Sequence, residues 1–210
     1  ARQAITVGLR YVWNTRPIRR VLLAVAFTST VGLASQTLTP ALAKDILHAG
    51  PKGYGTLLAG TGVGAILGAL AAAAAATSQR AAQVNVLALL GLGLSLLGLG
   101  VSKTLPVAVF VTTLVGAMSA LQLSTSNAFL QTASHPELRG RVVSLYVWIF
   151  QGLTPVGGLA AGWVAQRFGL SATLAGAGLL CALAGPTLGL IKPGPETSGA
   201  RTSLQPDRRS

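Results

Sequence analysis

Ser134-His135-Pro136-Glu137-Leu138-Arg139-Gly140-Arg141-Val142-Val143-Ser144-Leu145-Tyr146 is a polar, charged interruption in the middle of a very apolar chain. Ser134 and Glu137 have the spacing of a capping box. In that motif the hydroxyl bonds the amide three residues on and the carboxylate reaches back. Pro136 suits a first helical turn, where its missing N–H has no partner to lose. Gly140 permits a bend, and Arg141 leads straight into a long uncharged run. The stretch predicts a short polar turn of helix on a membrane surface, feeding a transmembrane helix.

On both sides of it the charges are clustered and far apart. The chain has 210 residues, 51% hydrophobic and 10% charged, where a soluble domain averages roughly 25% charged. A bilayer span needs ~20 mostly apolar residues. The uncharged runs 21–43, 53–79, 81–102, 104–135, 142–166 and 168–191 all meet that length. They predict an all-α integral membrane protein with six transmembrane helices. A net charge of +12 would suggest nucleic acid in a soluble protein. Here the positive-inside rule accounts for it, and no nucleic-acid partner is expected. Arg2, Arg10, Arg16, Arg19, Arg20, Arg80, Arg139, Arg141, Lys192, Arg201, Arg208 and Arg209 fall on one side of the predicted membrane. Lys44, Lys52, Lys103 and Arg167 fall on the other. Both termini are therefore expected in the cytoplasm, and the chain in the cell membrane.

The predicted spans differ in what they carry. In the first, 21–42, Thr28, Gly32, Ser35 and Thr39 share one helix face, and Pro40 is expected to kink the outer end. The second, 54–76, contains Gly60-Thr61-Gly62-Val63-Gly64-Ala65, which mimics a dinucleotide fingerprint. That motif needs a preceding strand and an acid about 20 residues on; neither is present. Gly64-x-x-x-Gly68 reads instead as close helix packing. The third, 82–101, is rich in Leu and Gly and is expected to face lipid over much of its surface. In the fourth, 106–130, Thr112, Ser119, Gln122 and Ser126 share a face, with Asn127 to one side. Two readings stand: hydrogen bonding between helices, averaging ~0.6 kcal/mol in membranes, or the wall of an aqueous cavity. The matching stripe on the first span favours the cavity. The fifth, 142–165, puts Gln151, Thr154, Gly158 and Gly162 on one face, and Pro155 can bend it. Gating and simple packing both explain that face. The sixth, 170–191, contains a Gly185-Pro186 break.

Pro-Glu-Leu-Arg-Gly-Arg-Val-x-Ser-Leu-Tyr at 136–146 resembles the cytoplasmic loop before the eleventh helix of major facilitator superfamily exporters. The likeness is nearest to the drug- and siderophore-efflux branch. It continues in Gly157-Gly158, Ala161-Gly162-Trp163 and Arg167-Phe168-Gly169. Gly8-Leu9-Arg10-Tyr11-Val12, Pro17 and Arg19-Arg20 resemble the linker before the seventh helix, and Gly53-Tyr54-Gly55 the start of the eighth. Val7 departs from that pattern, standing where an acidic residue is expected. The resemblance implies the C-terminal six-helix half of a twelve-helix exporter. Its partners would be the lipid bilayer, an N-terminal six-helix half of the same polypeptide, and a small amphiphilic substrate such as a drug or siderophore.

By that resemblance the first and fourth spans line the central cavity, with Thr28, Ser35, Thr39, Ser119, Gln122, Ser126, Asn127, Gln151 and Thr154 as candidates. Gly64, Gly68, Pro155, Gly158 and Gly162 are candidate gating positions. Glu137, Arg139 and Arg141 would join the contacts of the inward-closed state. The expected organisation is a cytoplasmic amphipathic linker at 1–20, a six-helix domain at 21–191 and a disordered cytoplasmic tail at 192–210. The linker is expected either in the headgroup region or solvated against the same protein.

Two other classes compete. A self-contained six-helix channel or oligomeric transporter would need no further half; the chain begins on Ala1, and the expectation is that a half precedes it. An intramembrane enzyme would need a Ser–His pair, paired carboxylates or a metal set. His48 and His135 lie in loops on opposite sides, no Asp or Glu lies within a span, and Cys181 is alone. No catalytic residue, metal or cofactor is expected.

Overall fold

The computed structural model describes residues 11–75 and 81–189, with side chains placed for all of these except 33–35, 81–82 and 186–189. The described residues are all-helical. The first helical stretch, α1, runs over Arg16–Ile46. It is followed by α2 (Gly50–Ala75), α3 (Ala81–Val101), α4 (Leu105–Ala133), α5 (Arg139–Phe168) and α6 (Leu170–Gly189). The first five contain segments long and apolar enough to cross a membrane; α6 is a shorter apolar helix over Leu170–Gly185. The linker is described only from Tyr11, and the predicted turn at 77–80 and tail at 192–210 lie outside the described residues.

Hydrophobic burial gives no force between helices already in lipid, so close backbone approach and van der Waals contact must supply it. Glycine provides that approach. A Cβ on Gly64 or Gly68 of α2 would run into the backbone of Thr113 or Ala117 on α4, and one on Gly116 of α4 into Thr61. The glycine-rich run of α2 is therefore a helix-packing face. It lies inside an unbroken helix with no strand before it, so the nucleotide resemblance ends there. Gly93 of α3 and Gly178 of α6 meet in the same way.

Three apolar clusters hold the bundle. Ile18, Leu22, Leu130, Val142 and Tyr146 join the start of α1, the end of α4 and the start of α5. Leu42, Leu57, Leu99, Ala108 and Leu174 join the other ends of α1 and α4 with α2, α3 and α6. Leu89, Leu92, Leu96, Val115 and Cys181 fill the middle. Residues preceding α1 dock on the first cluster, where Val12 is buried. Pro17 then sits in the first turn of α1, after an extended Thr15.

Several boundaries depart from expectation. The kink expected at Pro40 is a longer break: a π segment at Thr28–Leu33, a 3-10 segment at Ala34–Leu38, a short α turn at Thr39–Ala41 and a second π segment at Leu42–Ile46. Ser29 and Thr30 donate to the carbonyls of Val25 and Ala26 at 2.8 Å, a back-bonding that bends helices. Pro40 then withdraws an N–H and crowds the preceding turn. Conversely, the break predicted at Gly185-Pro186 is absent, and α6 runs on to Gly189.

The capping box also fails to form. The Ser134 hydroxyl donates backwards to the Leu130 carbonyl at 2.6 Å. The last carbonyls of α4 lack intrahelical donors, and Ser134 satisfies one of them. The loop closes on His135, whose carbonyl accepts the amides of Leu138 and Arg139, both at 2.9 Å. Helix α5 starts at Arg139 with no side-chain cap.

Candidate functional site

The polar residues of the spans fall into an inner set and an outer set. The inner set lies on α4, with Thr112 toward Gly60 of α2 and the 122–126 part toward α3. Gln122 and Ser126 are wholly buried, and Thr112, Ser119 and Thr125 nearly so. Asn85 of α3 reaches across to them. Its Nδ2 donates to Ser126 Oγ at 2.6 Å, and at longer range to the Gln122 carbonyl (3.3 Å) and Thr125 Oγ1 (3.4 Å). Gln122 Nε2 donates to Ser126 Oγ at 3.3 Å, while Gln122 Oε1 has no partner. Ser119 donates to the Val115 carbonyl at 2.6 Å. The polar face of α4 is thus hydrogen-bonded within the bundle.

The stripe on α1 also turns inward. Thr28 is wholly buried with Oγ1 unpartnered, and a Cβ on Gly32 would press on Leu92 of α3 at 2.8 Å. The Ser35 side chain lies outside the described residues, and Thr39 is half-buried. Thr28 and Gln122 therefore each carry a buried polar oxygen without a partner, inside helix packing. Asn127 is half-buried at the edge of the α4 face and accepts from Gln131 Nε2 at 2.8 Å.

Asn85 is the functional-site residue that sequence pattern missed. Helix α3 reads as rich in Leu and Gly with little polar content, and the amides near its start, Gln83 and Asn85, form no stripe that would expose either. The usable signal was composition alone: an amide near the end of a span must find a partner. One face of α3, with Ala88, Leu89, Leu92 and Leu96, is buried along with that contact, while Leu87, Leu94 and Val101 on its remaining surface are exposed.

The outer set lies on α5. Only 17% of its apolar window is buried, and 28% of that of α2, against 44% for α3 and α4. Gln151, Gly152 and Pro155 are exposed on α5. Thr154 is half-buried and donates to the Phe150 carbonyl at 2.7 Å. The glycines of α5 do not act as the pair expected from spacing. Gly157 lies against the Thr30 carbonyl and Gly158 against Thr37 of α1, whereas a Cβ on Gly162 would meet nothing within 4 Å. Close packing of α5 on α1 therefore centres on Gly157 and Gly158.

Glu137, Arg139 and Arg141 are exposed in the loop and at the start of α5. Tyr146 OH donates to the Leu123 carbonyl at 3.2 Å, tying α5 to α4 beneath them. Tyr11 meets the His135 ring edge-on at 6.1 Å. Among the described residues, no group of three or more His, Cys, Asp or Glu could hold a metal ion.

An all-helical bundle with several membrane-length helices, glycine-to-backbone packing and a buried amide cluster is the architecture of a multi-pass membrane protein. The chain belongs to the transmembrane secretion effector family of the major facilitator superfamily, whose model matches residues 1–204. It is 30% identical over 170 residues to the multidrug efflux pump Tap of Mycobacterium bovis and of Mycobacterium tuberculosis, a match covering 80% of this chain and 40% of theirs. It is likewise 30% identical over 172 residues to the multidrug efflux pump Tap of Mycolicibacterium fortuitum, covering 80% of this chain and 41% of that one. The chain thus spans about 40% of the length of the curated relatives it matches. No solved structure matches it significantly.

Proposed function

We propose that this chain is the C-terminal six-helix half of a twelve-helix exporter that moves a small amphiphilic molecule outward by alternating access. Family membership and efflux-pump relatives support the class. The span of about 40% of those relatives supports the half.

The observation that carries the reading is the outward face of α5. Gln151 lies twelve residues into this helix, about 18 Å along it at 1.5 Å per residue. An amide transferred to an apolar medium without a hydrogen bond costs roughly 2–7 kcal/mol. An exposed Gln151 in mid-span therefore calls for water, substrate or a polar partner on that side. Thr39, Asn127 and Thr154, each half-buried, are the further residues best placed to join such a wall. Thr28, Ser119, Gln122 and Ser126 sit behind it and act by fixing α1, α3 and α4.

In this reading all six helices span the membrane, and the arginine-rich end is cytoplasmic. Two six-helix halves rock about a midplane site. Glu137, Arg139 and Arg141 contact the other half when the inner side is closed. Gly64 and Gly68 keep α2 on α4, Gly158 seats α5 on the irregular part of α1, and Pro155 and Gly162 give α5 room to move.

The test uses the full exporter. Gln151→Leu is expected to change the rank order of exported compounds at unchanged membrane abundance. The 210-residue chain alone is expected to insert without transporting, and co-expression of a matching half to restore efflux. Robust transport by the purified chain alone in liposomes would overturn the half-exporter reading.

A further inference from the structure

A groove of about 770 Å³ opens at the end of the bundle opposite the 136–146 loop. The last turns of α1 and α5 and the first turn of α6 wall it, and Gly169, at φ +86°, makes the corner between α5 and α6. Small-molecule sites are clefts of roughly 300–1,000 Å³, mostly apolar, with a few polar groups that fix orientation. Here the apolar walls are Leu38 and Ile46 of α1, Phe168 of α5 and Leu170 of α6. The polar groups include the Asp45 carboxylate and the Gln166 amide. Gly162 lines the groove as well, and a Cβ on it would meet nothing within 4 Å. Open space, not helix packing, accounts for that glycine. Gly162 and Gln166 also continue along α5 the line of Gln151 and Pro155, so the groove is the far end of the polar face of α5.

Its charge sets it apart from its surroundings. The acids among the described residues are Asp45 and Glu137, and Glu137 lies at the other end. Among the described residues no hydrogen bond or ion pair engages the Asp45 carboxylate. The cations of this end, Lys44, Lys52, Lys103 and Arg167, do not line the groove. The Arg167 guanidinium lies instead over the Trp163 ring, 5.0 Å from its centre. The groove therefore presents one negative charge among apolar walls. A bare metal ion is a poor match, because hard cations take several oxygen ligands and Asp45 supplies one carboxylate. An organic ammonium is a good one. Phe168 is 70% exposed, and an aromatic face attracts such a cation.

We propose that the groove between the ends of α1 and α5 and the start of α6 binds a small amphiphilic organic cation, its ammonium beside Asp45 and its apolar body against Leu38, Ile46 and Phe168. The proposal goes beyond the transport reading, because binding here is a property of this chain whether or not it exports.

The test uses the full 210-residue chain in phosphatidylcholine nanodiscs, with radiolabelled benzyltrimethylammonium as probe and empty discs as blank. Equilibrium dialysis is expected to show saturable binding above the blank. Asp45→Asn keeps the shape and removes the charge, and should weaken binding about fivefold, the scale of an exposed ion pair. Phe168→Leu should weaken it about threefold. Gly162→Leu puts a side chain into the groove where no packing is disturbed, and should abolish binding. No saturable binding, or binding unchanged by Asp45→Asn, would overturn the proposal. If Asp45→Asn does not fold, Gly162→Leu decides: lost binding supports the site and undiminished binding overturns it. The lipid's choline headgroup carries the same ammonium, so the measurement is repeated in phosphatidylglycerol discs. Asp45-dependent binding in both lipids supports a free cation as occupant. Such binding in phosphatidylglycerol alone would make the choline headgroup the occupant and overturn the proposal. None of these readouts involves transport, so a failure here is distinct from a failure of the half-exporter reading.

Discussion

Asn85→Leu and Gln122→Leu alter neighbouring amides in one buried cluster, yet they are expected to act in opposite directions. Asn85 makes one short bond to Ser126 Oγ at 2.6 Å and two long ones at 3.3 and 3.4 Å. Replacing it strands none of the α4 acceptors. Ser126 Oγ keeps Gln122 Nε2 as donor, and the Thr125 hydroxyl keeps the carbonyls of Leu121 and Gln122. The loss is therefore that of the bonds alone. At ~0.6 kcal/mol on average and about 1.7 at most for such a bond in a membrane, Asn85→Leu should cost about 1–2 kcal/mol. Gln122→Leu removes one long bond, but also removes Oε1, an acceptor buried without a partner. An unsatisfied buried acceptor costs about 1–3 kcal/mol, so this substitution should be neutral or stabilising by about 1 kcal/mol. Thermal or mild-detergent unfolding of the purified chain, followed by tryptophan fluorescence, measures both. Replaced together, Asn85 and Gln122 leave Ser126 Oγ without either of its donors, so the double variant should cost more than the sum of the two. If Gln122→Leu proves the more damaging, Oε1 is satisfied by water or ligand, and the dry helix-packing account of this cluster fails.

Two shorter expectations follow from the same contacts. Alanine is better than glycine in a helix by about 1 kcal/mol, so Gly162→Ala, with nothing within 4 Å of its Cβ, should leave unfolding unchanged or slightly improved. Gly157→Ala drives a methyl into the Thr30 carbonyl and should cost about 1–3 kcal/mol by overpacking; equal behaviour of the two would refute the packing of α5 on α1. For orientation, a cysteine replacing Lys52 should react with a membrane-impermeant thiol reagent on intact cells, and one replacing His135 only with a permeant reagent. The reverse pattern would overturn the cytoplasmic assignment of the arginine end.

The helices were legible in the sequence because charge and hydropathy need no partner to be read. Gaps between charged clusters located each helical segment to within a few residues, and the 136–146 loop carried a family resemblance that the 1–204 match supports. What pattern did not settle was which way a polar face turns. The faces of α1 and α4 each show a regular stripe, which suits a cavity wall and a buried helix contact equally well. Only the neighbour decides, and for α4 that neighbour is Asn85, a residue without periodicity. The capping box at Ser134 failed for a related reason. Ser134 had two legitimate partners, an amide ahead and a carbonyl behind, and the unpaired carbonyls ending α4 took it. At α5 the spacing of Gly158 and Gly162 suggested a pair. The helix instead presents Gly157 and Gly158 to α1, a rotation that sequence spacing does not fix.

The glycine contacts differ in kind between the α2–α4 pair and the α5–α1 pair. Helix α2 is bound to α4 through Gly64, Gly68 and Gly116, each packed against backbone, and backbone cannot give way by changing rotamer. Such an interface moves as one body or not at all. Helix α5 rests on a different surface. Where Gly157 and Gly158 meet α1, the facing residues Thr30 and Thr37 lie in its π and 3-10 segments. Those segments lack a continuous run of α-type hydrogen bonds, and such irregularities recur at functional sites and hinges. The firm pair and the irregular pair lie in the same bundle, and the exposed Gln151 and Pro155 belong to the second. A conformational change that re-seats α5 on α1 would therefore move the polar face of α5 while leaving the α3–α4 amide cluster undisturbed. On this view the buried cluster and the outward face divide the work. Asn85, Gln122 and Ser126 join α3 to α4, and Gln151 is exposed on the helix that rests on the irregular part of α1.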